Sequence, residues 1–345
     1  MIEVVGIGAR TPVGLTAATS AAAIRAGVAR LREFSFVSLE GQPIVVGADA
    51  LLPDSLQGAE RMLALVEAPL QDALDGVNPK AVPACKVWLS LPEARPGFSD
   101  EDATRLGQHI VLRIQKLGFR CDAAIGGRGH AGVMGCVRSA IATPNDEVLH
   151  IVVGVDSHCD DECLVWLERE RLLAQEGTRG GFTPGEAAGV IVLAHRRLGE
   201  RLGRKSLATI SGAGLQVETR LRDSDAGSFG EAMSRAVQEA GRKLSLPAQA
   251  ADDVYCDING DRYRSEEWGF FAMRSYSAVA SLGYETPCPS VGDIGASFGA
   301  VAAAMATNAF ERGYARGPRA LVMAGSNAGH RGAMFLHEPQ SKARA

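Results

Sequence analysis

The feature that most constrains this chain is an alternation of short apolar strand patterns and helical patterns, punctuated by glycine, that runs from one end to the other. Ile2 to Ile7 is an apolar run ending in Gly6-Ile7-Gly8, followed by Thr11-Pro12-Val13-Gly14 and an alanine-rich helical pattern from Thr16 to Arg30. Further strand patterns lie at Lys86 to Leu91, Val148 to Val155, Gly189 to Ala194, Leu207 to Ala213, Asp253 to Ile258 and Ala320 to Ala324. Helical patterns alternate with most of them. This rhythm predicts an α/β chain in which largely parallel sheets lie between helix layers. Forty glycines beside 6% aromatic residues predict close packing of helices on strands, with glycine turns at strand ends. At 345 residues and 46% hydrophobic, the chain can bury one large core or two joined halves. The strand groups fall on either side of Arg196 to Lys205, a polar stretch without apolar period, which divides the chain into halves 1–200 and 201–345.

A formal charge of −4 gives no broad basic surface for nucleic acid or an anionic membrane. Arg196-Arg197 and the run from Arg201 to Lys205 form a local basic cluster, read as a solvated face. Seven scattered cysteines and a start without a secretory pattern point to reduced thiols in a cytoplasmic protein. No apolar run reaches the length of a membrane span. Gly6, Gly8 and Gly14 lack the spacing that presents a helix N-terminus to a pyrophosphate, so they read as a structural turn.

Four glycine-rich segments carry the remaining information. They are Gly126-Gly127-Arg128-Gly129-His130-Ala131-Gly132, Phe182-Thr183-Pro184-Gly185-Glu186-Ala187-Ala188-Gly189-Val190, Asp257-Ile258-Asn259-Gly260-Asp261-Arg262 and Val291-Gly292-Asp293-Ile294-Gly295-Ala296-Ser297-Phe298-Gly299. In this order they resemble the β-ketoacyl synthases of the thiolase superfamily. The opening Val4 to Gly14, the segment Gly154-Val155-Asp156-Ser157 and the late Gly325-Ser326-Asn327-Ala328-Gly329 extend the resemblance over nearly the whole chain. It implies two pseudo-symmetric halves in five αβαβα layers, reduced cap regions and a homodimer, with no cofactor and no metal. Phe182 to Val190 is its strongest single match.

A decarboxylating condensation needs a thiolate at a helix N-terminus, where the dipole lowers its pKa, and two histidines that stabilise the enolate oxygen. By the resemblance the nucleophile position falls between Arg128 and His130, with His130 the preferred equivalent, and the two histidines correspond to Asn259 and Asp293. None of these is a cysteine, and a carboxylate at Asp293 opposes a developing enolate. Arg128, Gly129, Arg262, Phe298, Ser326 and Asn327 are expected at the pocket or its rim. Cys136, nearly two turns into the following helix, reads as a core residue.

Three readings follow. In the first, the protein has lost the condensing residues and binds a partner or an acyl ligand, with acyl carrier protein, acyl-CoA or another subunit as candidates. In the second, His130, Asn259 and Asp293 form a new site for acyl transfer or for hydrolysis of a thioester or ester, reached by an open tunnel. In the third, the trio plugs a closed pocket in a structural adaptor. Tyr255 to Trp268 reads as a charged, aromatic loop beside the pocket, serving a dimer seam or a partner. His158 to Cys163 holds metal-compatible residue types without a second ligand pair.

Overall fold

β1 (Ile2–Arg10) runs through the middle of the molecule, and its glycines are there for packing. α2 (Gly58–Leu74) lies directly over it. A Cβ on Gly6 would come within 2.1 Å of the Ala73 carbonyl oxygen, and one on Gly8 within 2.2 Å of that of Pro69. Gly6 and Gly8 therefore sit inside the strand and admit a helix backbone, instead of forming the turn expected of them. The computed structural model describes residues 1–339 apart from 40, 144, 176–177, 223 and 225–226.

α1 (Ala17–Arg25) is capped by Thr16 and stops short of Arg30, because the chain turns at Gly27, where φ is 69°. The hairpin of β2 (Arg32–Val37) and β3 (Pro43–Val46) stands apart as a small two-stranded sheet. After α2 come β4 (Ala84–Leu91), α3 (Asp100–Lys116), β5 (Cys121–Arg128), α4 (Gly132–Ala142), β6 (Val148–Ser157), α5 (Asp161–Arg169) and β7 (Glu186–Ala194). α6 (Arg196–Arg201) leads into β8 (Ala208–Val217), α7 (Glu231–Ala240), β9 (Asp253–Cys256), α8 (Arg262–Arg274), the single turn α9 (Cys288–Val291), α10 (Phe298–Arg312), β10 (Arg319–Gly325) and β11 (His330–His337).

The large sheet has the order β5-β4-β6-β7-β1-β8-β11-β10-β9. Within it β5, β4 and β6 are parallel, as are β9 and β10. Pairings through β7, β1, β8 and β11 are antiparallel, so the sheet is mixed and the expectation of largely parallel sheets is corrected. The pattern of directions repeats: β1, β4, β6 and β7 are related to one another as β8, β9, β10 and β11 are. The place of β5 in the second half is held by a single parallel bridge from Tyr255 to Glu285. Only the β10–β11 return is short; β6 and β7 are joined through α5, so a strand-helix-strand run here carries an antiparallel pair, which the rhythm concealed.

Three apolar cores separate the layers. α2 and α3 pack on the outer face of the first half through Leu65, Leu70, Leu106 and Ile110. α4 and α10 lie between the halves, where Val133, Met134 and the alanines of α10 meet Val152, Ile191, Val322 and Met334. α7 and α8 cover the second half through Met233, Val237 and Phe271. This is the five-layer αβαβα order with pseudo-symmetric halves. Among the described residues no helix is long and apolar enough to cross a membrane.

The Phe182 to Val190 segment is anchored by Glu186, whose carboxylate pairs with Arg61 while both side chains are 0% exposed. Asp49 N and Ser157 Oγ also donate to it, at 2.7 Å each. The basic cluster near residue 200 is largely used within the chain. Arg196 pairs with Glu200, Arg201 with Glu147, and Arg204 donates to the carbonyls of Val5 and Asp75. That stretch is helical in part, with Leu198 fully buried.

Candidate functional site

His130 lies in the turn that joins the end of β5 to the first residue of α4, and the sequence forces this turn to be tight. Gly129 takes φ of 64°, and a Cβ on Gly127 would lie 2.4 Å from the Gly132 carbonyl oxygen. The Gly126-Gly127 pair thus closes β5 and lets α4 fold back against it. Asp293 is held on the opposite side by the Val291 to Gly295 loop, in which Gly292 and Gly295 both have positive φ. Its own amide donates to the Thr183 carbonyl at 2.8 Å, which ties it to the Phe182 to Val190 segment.

The three residues predicted to converge do so. His130 Nε2 is 2.7 Å from Asp293 Oδ1, and Asn259 Nδ2 donates to Asp293 Oδ2. Gly295 N completes the set by donating to Oδ1 at 2.9 Å. Burial opposes ionisation of Asp293. His130, followed by His158 and Arg264, outweighs that and holds its carboxyl well below the usual range. The carboxylate is therefore ionised and fully bonded.

Sequence reasoning missed the fourth member, Arg264. Its Nη2 is 3.2 Å from His130 Nδ1 and 3.3 Å from Asn327 Oδ1, while Nη1 pairs with Asp257 and donates to the Gly325 carbonyl at 2.6 Å. The same nitrogen lies 3.4 Å from His130 Nε2, so the guanidinium crowds both ring nitrogens. Both ring nitrogens are engaged by protein groups. The signal for Arg264 lay in helical spacing: Arg264, Glu267 and Phe271 form the buried face of α8, a helix that Asp261 caps. Tyr255 to Trp268 is therefore the end of a strand, a short turn and a helix start, not a loop.

The other expected pocket residues divide. Arg262 points outward with its side chain 84% exposed and pairs with Glu266, because it lies on the opposite face of α8 from Glu267. Phe298 opens α10 deep in the central core. Ser326 is buried, accepts from Ala131 N and donates to the Arg128 carbonyl, which braces the His130 turn. Asn327 touches Arg264 through its side chain, and its amide donates to Glu93. Arg128 turns away toward the Pro92 carbonyl and Asp100. Gly129 backs onto Glu93 and Ser326, within 2.9 Å of a would-be Cβ.

A further buried group adjoins the cluster. His158 Nδ1 lies 3.1 Å from the Asp293 carbonyl and 3.2 Å from that of Gly185, and Arg95 pairs with Asp156 beside it. Burial, then Arg95, lowers the His158 imidazole below its ordinary value. No thiol stands in for the nucleophile. Cys136 is fully buried beneath Gly126, and burial pushes it up to about 12. Cys288 lies near Asp293, and burial together with that carboxylate raises its thiol well above the usual value. Cys159 and Cys163 pack into a small separate core with Leu164 and Phe182.

His130 and Asp293 are 5% and 3% exposed. Two clefts lie away from the cluster, at the starts of β4 and β5 and between α1 and α10. The arrangement is chemically a buried polar cluster of carboxylate, imidazole, amide and guanidinium joined by short bonds, in which Arg264 Nε has no partner among the described residues.

No protein-family model matches the chain, and no curated protein matches it. Solved structures do. The ketosynthase from module 6 of the bacillaene synthase of Bacillus subtilis 168 is similar over 99% of this chain and 72% of that one, with 14% identity and a TM-score of 0.78. A type II polyketide synthase acyl-carrier protein in complex with its ketosynthase, bound to the hexaketide, is similar over 98% and 99%, with 12% identity and a TM-score of 0.79. The ishigamide ketosynthase/chain length factor is similar over 98% and 99%, with 17% identity and a TM-score of 0.72. The chain has the thiolase-like fold of these ketosynthases.

Proposed function

We propose that this chain is a ketosynthase-fold protein that does not condense acyl groups and that works as a subunit binding another protein. One observation carries the reading: His130, Asn259 and Asp293, which by the resemblance stand where a condensing enzyme has its cysteine and two histidines, bond to one another in a closed, buried cluster. A thioester enolate brought beside the ionised Asp293 would be repelled. Loss of the nucleophile alone typically costs several powers of ten in rate.

The bonding of the trio to itself favours partner binding over acyl-ligand binding, since its polar side chains are spent on one another. It also weighs against hydrolysis or acyl transfer by His130. A general base needs one ring nitrogen on its orienting carboxylate and the other free for substrate, and here the second faces Arg264. The similarity to the ishigamide ketosynthase/chain length factor and to the carrier-protein complex suggests the class of partner, a second ketosynthase-fold subunit or an acyl carrier protein.

A homodimer belongs to the same reading, with 1–200 and 201–345 as its two halves per protomer. β5 ends the large sheet with an unpaired edge, and Ile125 on it is 42% exposed. The test is a condensation assay with acyl and malonyl thioesters on the purified protein alone. No product is expected, and turnover would overturn the proposal.

A further inference from the structure

A second group of reactive side chains lies far from the His130 cluster, where β4 and β5 begin. Cys85 and Cys121 are direct partners in the parallel register of these strands. Neighbouring strands lie about 4.8 Å apart, within the Cα separation that a disulfide spans. Both side chains face the same side of the sheet: Cys85 shares the outer core with Val87 and Leu89, and Cys121 packs against that core from its edge. A cleft of about 560 Å³ opens onto the pair, lined also by Gln115, Phe119 and Arg120. Cys121 is half-buried and Cys85 is nearly covered. One thiol is thus presented to small molecules while the other waits behind it.

The pair is also polarised. Cys85 donates its S–H to Cys121, which lowers the Cys121 thiol and raises that of Cys85. Cys136, Cys159, Cys163 and Cys256 are buried, and burial raises each of them. Thiolate character and access therefore meet at Cys121.

We propose that Cys121 and Cys85 form a redox site, in which Cys121 is oxidised by a peroxide and Cys85 resolves it to a cross-strand disulfide. The Cys121 thiolate attacks one oxygen of hydrogen peroxide, the O–O bond breaks, and the departing hydroxide takes a proton to become water. The Cys85 sulfur then attacks the sulfenic sulfur, the S–O bond breaks, a second water leaves with the Cys85 proton, and the S–S bond forms. Two thiols lose two electrons to one peroxide. The bond would staple the edge strand β5, which runs on to the His130 turn, to its neighbour β4.

The test is mild peroxide treatment of the folded full chain, alkylation of the remaining thiols, and peptide mapping by mass spectrometry. The expected product has lost two hydrogens, joins the peptides containing Cys85 and Cys121, reverts with dithiothreitol and melts at a higher temperature than the reduced protein. Cys85→Ser should instead accumulate a sulfenic acid on Cys121 that dimedone traps, and Cys121→Ser should leave Cys85 reduced. Oxidation that falls first on Cys288, or a wild-type protein whose Cys85 and Cys121 both remain free after the peroxide is consumed, would overturn the proposal.

Discussion

Arg264 decides what the central cluster can do, because it turns a His–Asp pair that could act as a base into a closed set of bonds. Its removal leaves Asp257 and Asp293 buried with one fewer counter-charge. Arg264→Met should therefore destabilise the fold by about 3–5 kcal/mol, read by denaturant unfolding, whereas Arg262→Met, on the exposed face, should leave the unfolding midpoint essentially in place. Equal costs for the two would contradict the placement of Arg264. A second prediction concerns His150, which is fully buried and accepts from Trp88 Nε1 at 3.1 Å. Burial, with His195 and Lys86, lowers its pKa to about 4. The unfolded chain takes up this proton near pH 6.5 and the folded one only near 4, so stability is lost as pH falls through that window. His150→Gln keeps an acceptor for Trp88 and should flatten the stability curve there; an unchanged slope would show that His150 does not set it.

At the scale of elements, glycines and buried ion pairs set where strands and helices meet. Glu186→Gln leaves Arg61 without its charge partner in a fully buried site, and should cost about 3–5 kcal/mol, detected as a lowered denaturation midpoint. Glu200→Gln breaks a pair whose side chains are more than half exposed, and should cost under about 1 kcal/mol. The strands with continuous apolar runs, β4, β6, β7 and β10, were legible because burial on both faces leaves an apolar stretch in the sequence. β5 was not, since its Gly126-Gly127-Arg128 end reads as a turn and its edge position leaves it partly exposed. Asn259 and Asp293 were legible through the glycine frameworks around them. Arg264 was not, because its direction depends on where α8 begins, and Asp261 fixes that only once the helix is seen.

At the scale of the whole molecule, the fold and the chemistry separate. Five layers, pseudo-symmetric halves and a central helix pair match solved ketosynthases at TM-scores of 0.72 to 0.79, while the centre is filled by side chains that bond to one another. If the unpaired edge of β5 is where two copies meet, Ile125→Lys should shift the protein from dimer to monomer in sedimentation analysis; an unaffected dimer would move the interface elsewhere. The most direct test of the central claim is intact-mass spectrometry of the folded protein after incubation with acyl-CoA and acyl-carrier thioesters. An unchanged mass, with no hydrolysis in the same samples, is the predicted result. An acyl adduct, above all one that maps to the turn at His130 or to Cys136, would contradict the reading of a closed, non-condensing centre.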